Sequence, residues 1–323
     1  MNSFGRIFRI SIYGESHGLE TGILIDGCPP GISLQESDFT SDISRRKPGM
    51  EGTTERYEMD LPKIKSGVYK GFTTGTPILI SVENENVRNE DYHFDGFYRP
   101  GHADLTSYKK YKGYNDPNGG GHSSGRLTLA LVIAGCVAKK ILPGIIISAS
   151  VKNVGGSNDI MTVVHNAVME NDSVGGIVEC KIDRLPLGLG EPFFDSVESM
   201  ISHAVFSIPG AKAIEFGEGI KSASVKGSEF NDTYTDISGK TLSNNNGGIN
   251  GGISNGNELY FRVYFKPSSS IGKMQKSFNF NTHKTEELII SGRHDSCYVL
   301  RTPVIVEAVA AVVLADLKLI SGL

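Results

Sequence analysis

The stretch SGRLTLALVIAGCVAKKIL, residues 124–142, decides how this chain folds. Leu127, Leu129, Leu131, Val132, Ile133, Val137 and Ile141 make a helix over Ser124 to Leu142 apolar on nearly every side. A helix with one wet face shows an apolar stripe, whereas one that is apolar all round has to be enclosed. A second segment of this kind closes the chain: Pro303 to Leu319 reads PVIVEAVAAVVLADLKL, with proline in its first turn. Its most apolar part, Val304 to Leu314, carries Glu307 and is followed by Asp316, so it is too short and too charged to span a bilayer. Both segments predict buried helices of a globular protein.

Working outward, strands are predicted over Ile7 to Tyr13, Gly22 to Asp26, Ile78 to Glu83, Ile145 to Val154 and Leu259 to Phe265. Ser37 to Arg46 predicts a short helix that Pro48-Gly49 ends, and Asp195 to Phe206 a further one with Asp195 as N-cap. A polar stretch from Glu83 to about Gly121 predicts a long loop of the functional kind. Strands and helices interleave without strict β-α-β alternation and without a proline-rich linker, so residues 1–323 are read as one mixed α/β domain.

The composition bounds the function. Thirty-two basic and 36 acidic residues leave a net charge of −4, which argues against a general nucleic-acid binder. A site for an anionic small molecule must then be a local cluster of Arg and Lys. Cys28, Cys136, Cys180 and Cys297 are far apart and form no C-x-x-C pair, which argues against a zinc site or disulfide framework and for reduced cytosolic thiols. The N-terminus leads into an alternating strand rather than a signal-peptide block, so a cytoplasmic location is expected, with no membrane partner and no metal. The 39 glycines cluster, and clusters mean either close approach of backbone to a ligand or flexible surface loops.

Four motifs could carry chemistry. Gly14-Glu15-Ser16-His17-Gly18 follows a strand and fits the G-x-S-x-G nucleophile elbow, but the elbow needs a helix after the serine and Leu19 to Asp26 reads as a strand. Arg99-Pro100-Gly101-His102-Ala103-Asp104 turns sharply and brings a carboxylate near an imidazole; a polar loop turn explains it equally well. Asn118 to Arg126 runs Gly119-Gly120-Gly121-His122-Ser123-Ser124-Gly125 into the buried helix, an anion site at a helix N-terminus. Gly292-Arg293-His294-Asp295 precedes the closing helix as a polar loop. Arg45-Arg46-Lys47 is either an anion contact or a basic helix end, and the Asn/Gly-rich segment Asn244 to Gly256 either a backbone cradle or a hairpin linker.

In this order the motifs resemble the chorismate synthase family: G-E-S-H-G at 14–18, R-P-G-H-A-D at 99–104, G-G-G-x-S-S-x-R at 119–126, G-L-G-E-P at 188–192, G-G-I-x-G-G-I-S-x-G at 247–256, K-P-S-S-S at 266–270 and G-R-H-D at 292–295. The resemblance implies a β-α-β sandwich with buried helices between antiparallel sheets, assembled as a homotetramer. It implies the last step of the shikimate pathway, 1,4-anti elimination of phosphate from 5-enolpyruvylshikimate 3-phosphate with reduced FMN (FMNH2). NADPH would act as indirect reductant through an external flavin reductase. By the same resemblance His17 protonates the departing phosphate, His102 acts on the reduced flavin, and Asp295, helped by Ser16 and Ser124, manages the proton on the flavin nitrogen. Arg46, Arg126 and Arg293 would hold substrate anions, with Arg293 also touching flavin. His122, Ser123, Ser124, Gly251 and Lys266-Pro267-Ser268-Ser269-Ser270 would contact FMN. The chain departs from the family pattern at His122 and Gly52, where arginine is usual, and at Pro209-Gly210, where an amide-plus-alanine pair is common. A binding protein of the same fold without catalysis and a serine hydrolase are the competing readings.

Overall fold

Two antiparallel sheets enclose the two apolar helices. In the computed structural model, residues 2–54, 56, 58–85, 95–292 and 294–322 are described. The first sheet joins β1 (Ser3–Phe4), β2 (Arg9–Gly14), β3 (Glu20–Asp26), β4 (Lys63–Ile64) and β5 (Ile78–Glu83) in the order β1-β2-β3-β5-β4. The second joins β6 (Ile146–Val154), β7 (Gly176–Asp183), β8 (Ala211–Phe216) and β9 (Leu259–Phe265) in the order β8-β9-β7-β6. Register sets the buried faces: Ile23 pairs with Ile80 and Ile25 with Ile78 in the first sheet, and Val263 with Val178 in the second, all buried.

The helices are α1 (Thr40–Arg46), α2 (Asp104–Lys110), α3 (Thr128–Ile141), α4 (Ile160–Met169), α5 (Val197–Val205) and α6 (Pro303–Ser321). The α3 helix packs on the first sheet through β3, α6 packs on the second through β6 and β7, and the two helices pack on each other. Burial is unbroken from Thr128 to Ala138 and from Val304 to Leu317, as all-round apolarity requires. Gly135 permits the close approach: a β-carbon there would lie 2.5 Å from Ala308 Cα. Lys318 Nζ donates to the Ile141 carbonyl at 3.3 Å, joining the C-terminal ends, so both N-terminal ends emerge at the same end of the sandwich. This α+β arrangement is the sandwich the motifs implied.

The two carboxylates that break the apolar run of α6 tie the layers together. Glu307 accepts from Arg45 at 2.7 and 2.6 Å, from Lys139 at 3.3 Å and from the Ala149 N–H at 2.9 Å. Asp316, fully buried, accepts the N–H groups of Arg6, Ile7 and Phe8 at 2.9, 2.8 and 2.9 Å. A buried charge persists only with such partners.

Several boundaries differ from the sequence pattern. The α3 helix starts at Thr128 rather than Ser124, because Ser124 caps a separate single turn, Gly125–Leu127, its Oγ accepting the Arg126 N–H at 3.3 Å. Ser196, not Asp195, caps α5, accepting the Ser199 N–H at 3.0 Å; Asp195 instead pairs with Arg6 at 2.5 Å. β7, β8, α4 and the hairpin Gln275–Asn279/Lys284–Leu288 lie where no element was expected. In β7 the buried Val178, Cys180 and Ile182 alternate with Glu179, Lys181 and Asp183, the period-2 pattern of a half-buried strand that the sequence does carry. The long polar loop carries α2, and its residues 86–94 lie outside the described ones. All four cysteines are free and buried, and no helix among the described residues is long and apolar enough to cross a membrane.

Candidate active site

A cavity of about 610 Å³ opens at the shared N-terminal end of α3 and α6, with Thr128, Thr302 and Ile305 from their first turns in its wall. That size suits a cofactor or small-molecule site, and both helix dipoles turn their positive ends towards it.

The triple-glycine loop forms one edge. Gly119, Gly120 and Gly121 have φ of 59°, 84° and 53°, a left-handed run that side chains resist. A β-carbon on Gly119 would lie 2.7 Å from Ser16 Oγ and closer still to the His17 ring. The loop thus closes over the turn between β2 and β3, where the Ser16 N–H donates to the Gly121 carbonyl at 3.2 Å. Ser16 is fully buried and a strand follows it, so the nucleophile-elbow geometry is absent.

Behind this edge runs a buried chain of alternating charge. Arg56 Nε donates to Glu58 Oε1 at 2.8 Å, and Arg126 Nη2 donates to Glu58 Oε2 at 3.1 Å. Arg126 Nη1 also donates to Asp60, whose other oxygen stands 3.7 Å from Arg46. Asp60 has φ of 51°, a strained setting that aspartate tolerates better than most residues. Arg46 is anchored by Thr128 Oγ1 at 3.0 Å and by the Gly125 and Arg126 carbonyls at 3.2 and 3.1 Å. Burial first, then the like charge of Arg126, pulls the Arg46 guanidinium down to about 9. A bound anion would relieve that cost.

On another wall, His102 Nδ1 stands 2.5 Å from Asp104 Oδ1. Arg99 donates to the same carboxylate through Nε and Nη2, each at 2.8 Å. Burial would raise Asp104, but the hydrogen bonds from Arg99 and His102 outweigh it and hold the carboxyl far below its usual range. Asp104 stays ionised and, with Arg99 Nη2 at 3.1 Å from Nδ1, orders the His102 ring. Arg99 Nη1 reaches Ser270 Oγ at 3.2 Å, and Lys266 Nζ donates to the Gly101 carbonyl at 2.6 Å and to Ser269 Oγ at 2.5 Å. His122 Nδ1 donates to the Gly14 carbonyl at 2.8 Å, and the ring lines both the main cavity and a smaller, mainly apolar one of about 310 Å³. Gly210, at φ 88°, packs against Tyr298, whose hydroxyl donates to the Lys266 carbonyl at 2.7 Å. Asp295 accepts the Thr54 N–H at 2.9 Å and Arg301 Nη2 at 2.6 Å.

Of the residues expected from sequence, Ser16, Arg46, His102, His122, Ser123, Ser124, Arg126, Lys266 to Ser270 and Asp295 all line this cavity. His17 sits just behind it, its Nδ1 3.2 Å from Ser16 Oγ. Gly251 does not line it; it is the exposed tip of the hairpin Ile249–Asn250/Ile253–Ser254, whose neighbour Gly252 accepts the Val197 N–H. Arg293 lies outside the described residues. Gly52 is no vacant arginine position: it turns at φ 81°, and a β-carbon there would strike Val164. Arg56, Glu58, Asp60, Arg99 and Arg301 were missed as site residues, although charges at every second position from 56 to 60 point to one face of an extended segment.

Buried guanidinium groups, two ordered imidazoles and a glycine-lined edge define an enzyme site for a small polyanion. The family model described as chorismate synthase matches residues 8–319. A chorismate synthase of Chitinophaga pinensis is 56% identical over 322 residues, covering 99% of this chain and 97% of the relative. One of Dehalococcoides mccartyi is 39% identical over 355 residues, covering 100% and 98%. A solved structure, "Crystal Structure of Chorismate Synthase", superposes with a TM-score of 0.77 at 26% identity, covering 98% of this chain and 93% of that one. The chain belongs to the chorismate synthase family and is an enzyme.

Proposed function

We propose that this chain converts 5-enolpyruvylshikimate 3-phosphate to chorismate and phosphate by 1,4-anti elimination, with substrate and reduced FMN side by side in the 610 Å³ cavity. The observation that carries this reading is an unbalanced, buried cluster of cations. Among the described residues, Arg46, Arg56, Arg99, Arg126, Lys266 and Arg301 face four carboxylates, Glu58, Asp60, Asp104 and Asp295. Arg301 Nε is buried without an acceptor among the described residues. Two spare positive charges and an orphan donor suit a substrate with one phosphate and two carboxylates, and planar guanidinium groups suit both kinds of anion.

The residues present also fit a flavin phosphate and ring. Lys266 to Ser270, His122, Ser123 and Ser124 supply donors and acceptors, and Gly210 offers backbone free of side chain. Reduced FMN, when bound there, would supply electron density for the loss of phosphate and an acceptor for the ring hydrogen. The protein's share is positioning and proton handling. His17, beside Ser16, donates a proton to the departing phosphate, and His102, oriented by Asp104, presents Nε2 to the flavin. Asp295, held by Thr54 and Arg301, manages the flavin-nitrogen proton with Ser16 and Ser124. Arg46, Arg126 and Arg293 hold substrate anions. Acid–base work of this kind is worth ~100- to 10,000-fold per group. A single catalytic domain, a cytoplasmic homotetramer and flavin reduced by an external NADPH-dependent reductase complete the reading.

The test is an anaerobic assay for chorismate with dithionite-reduced FMN. Turnover is expected, and its loss in His17→Ala and His102→Ala. An unmodified protein that binds flavin yet forms no chorismate overturns the reading and leaves a binding protein of the same fold.

A further inference from the structure

We infer that Asp60 is a resident counter-charge that weakens the hold of Arg46 and Arg126 on a bound anion, so that the phosphate released in the reaction can leave the site. The inference rests on the reading of these two arginines as holders of substrate anions. A cavity with surplus buried cations binds anionic substrate and anionic product alike. Tightness common to both slows release without speeding the chemical step.

Arg46 carries five N–H donors, as every guanidinium does. Nε donates to Thr128 Oγ1 at 3.0 Å, and Nη2 donates to the Gly125 and Arg126 carbonyls at 3.2 and 3.1 Å. Nη1 makes no hydrogen bond among the described residues; the carboxylate oxygen it faces, Asp60 Oδ2, stands 3.7 Å away. That is too far for a hydrogen bond, yet close enough to oppose a negative charge arriving at Nη1. Asp60 therefore offsets the charge of Arg46 while leaving its donors open. The carboxylate is also held where it is. Its other oxygen accepts from Arg126 Nη1, and Lys47 Nζ donates to the preceding carbonyl, that of Met59, at 2.7 Å. Its backbone sits at φ 51°, a strained setting of the kind that persists where the surroundings fix it and that clusters around ligand sites. Glu58, the next carboxylate along, differs: it takes hydrogen bonds from Arg56 at 2.8 Å, Arg126 at 3.1 Å and the Glu85 N–H at 3.1 Å. Arg46, Asp60 and Arg126 all line the cavity, so an anion seated on Nη1 lies beside Asp60.

The experiment uses the full-length enzyme and inorganic phosphate, with Kd read by isothermal titration calorimetry. Asp60→Asn removes the charge, keeps an oxygen for Arg126 and tolerates the left-handed backbone. Its Kd is expected to fall about 10- to 100-fold, the effect of removing one like charge close to the ligand in a buried site. Inhibition of turnover by added phosphate should set in at correspondingly lower concentration. The gain in affinity should be lost when Arg46→Gln is added to Asp60→Asn. An unchanged Kd overturns the inference. A higher Kd overturns it too, because Asp60 then holds the guanidinium groups in place for the anion. Tightening that survives Arg46→Gln also sinks it, since the phosphate then sits elsewhere. Should Asp60→Asn not fold, Asp60→Gly, which φ 51° also suits, carries the same measurement. An unmodified enzyme that makes no chorismate while Asp60→Asn still binds phosphate more tightly refutes the function reading and leaves the counter-charge standing.

Discussion

Replacing Gly119 by alanine tests whether the glycine loop holds the His17 ring in place. Gly119 has φ of 59°, where alanine pays ~1–2 kcal/mol. Loss of freedom in the unfolded chain returns about 0.4–1 kcal/mol of that. The new methyl carbon would lie 2.7 Å from Ser16 Oγ and nearer to His17 Nδ1 and Cε1. Carbon contacts prefer about 3.5–4.0 Å, so ring or loop must move by about 1 Å, and such overpacking costs ~1–3 kcal/mol. The net expectation is a destabilisation of about 1–5 kcal/mol, read from the midpoint of urea unfolding. Catalysis should suffer more, because a misplacement of about 1 Å costs roughly 100-fold. Gly125→Ala is the control: its φ is not in the left-handed region and nothing lies within 4 Å of the added carbon, so its stability should stay within ~0.5 kcal/mol. If Gly119→Ala keeps the unmodified kcat and midpoint, or if Gly125→Ala loses as much stability, the loop does not hold the ring.

Three further perturbations probe the frame and the charges. Gly135→Ala gains about 1 kcal/mol of helix propensity but sets a β-carbon 2.5 Å from Ala308 Cα, so a net fall in Tm is expected; a rise would mean that the buried helices separate freely. Asp104→Asn should destabilise at neutral pH. A carboxylate depressed in the fold contributes stability that is complete above its unfolded pKa of about 3.9 and is lost as pH falls through the folded value. Acid titration of the unmodified protein should therefore show a loss at low pH that the variant lacks, and identical acid limbs would contradict the pairing. Inorganic phosphate should raise Tm, by ~2.7 kcal/mol of added stability at 100 times its Kd, and less in Arg46→Gln, whose buried guanidinium is the one pulled down to about 9. An equal rise in both proteins would place the anion elsewhere.

The competing readings separate on particular residues. Ser16 followed by a strand removes the hydrolase geometry, whereas the paired His102 and Asp104, even with a loop turn on spacing alone, are joined at 2.5 Å. Gly251, whose positive φ suits a cradle, stands on an exposed hairpin tip outside the lining of this chain's cavity.

What the linear chain determined by itself was whatever depends on neighbours along it. All-round apolarity over Leu127 to Ile141 and Val304 to Leu317 required enclosure, and the runs around Gly119, His102 and Lys266 marked where backbone and polar groups would meet a ligand. The tertiary structure alone decided which of those groups share a cavity. It brought Arg56, Glu58, Asp60 and Arg301 beside Arg46 and Arg126, and it turned Glu307 and Asp316 from interruptions of an apolar helix into ties between layers. The physical reason is that a charge in a sequence carries no sign of its partner. Burial makes an unpaired charge costly, and the partner that relieves it is chosen by packing across the fold rather than by spacing along it.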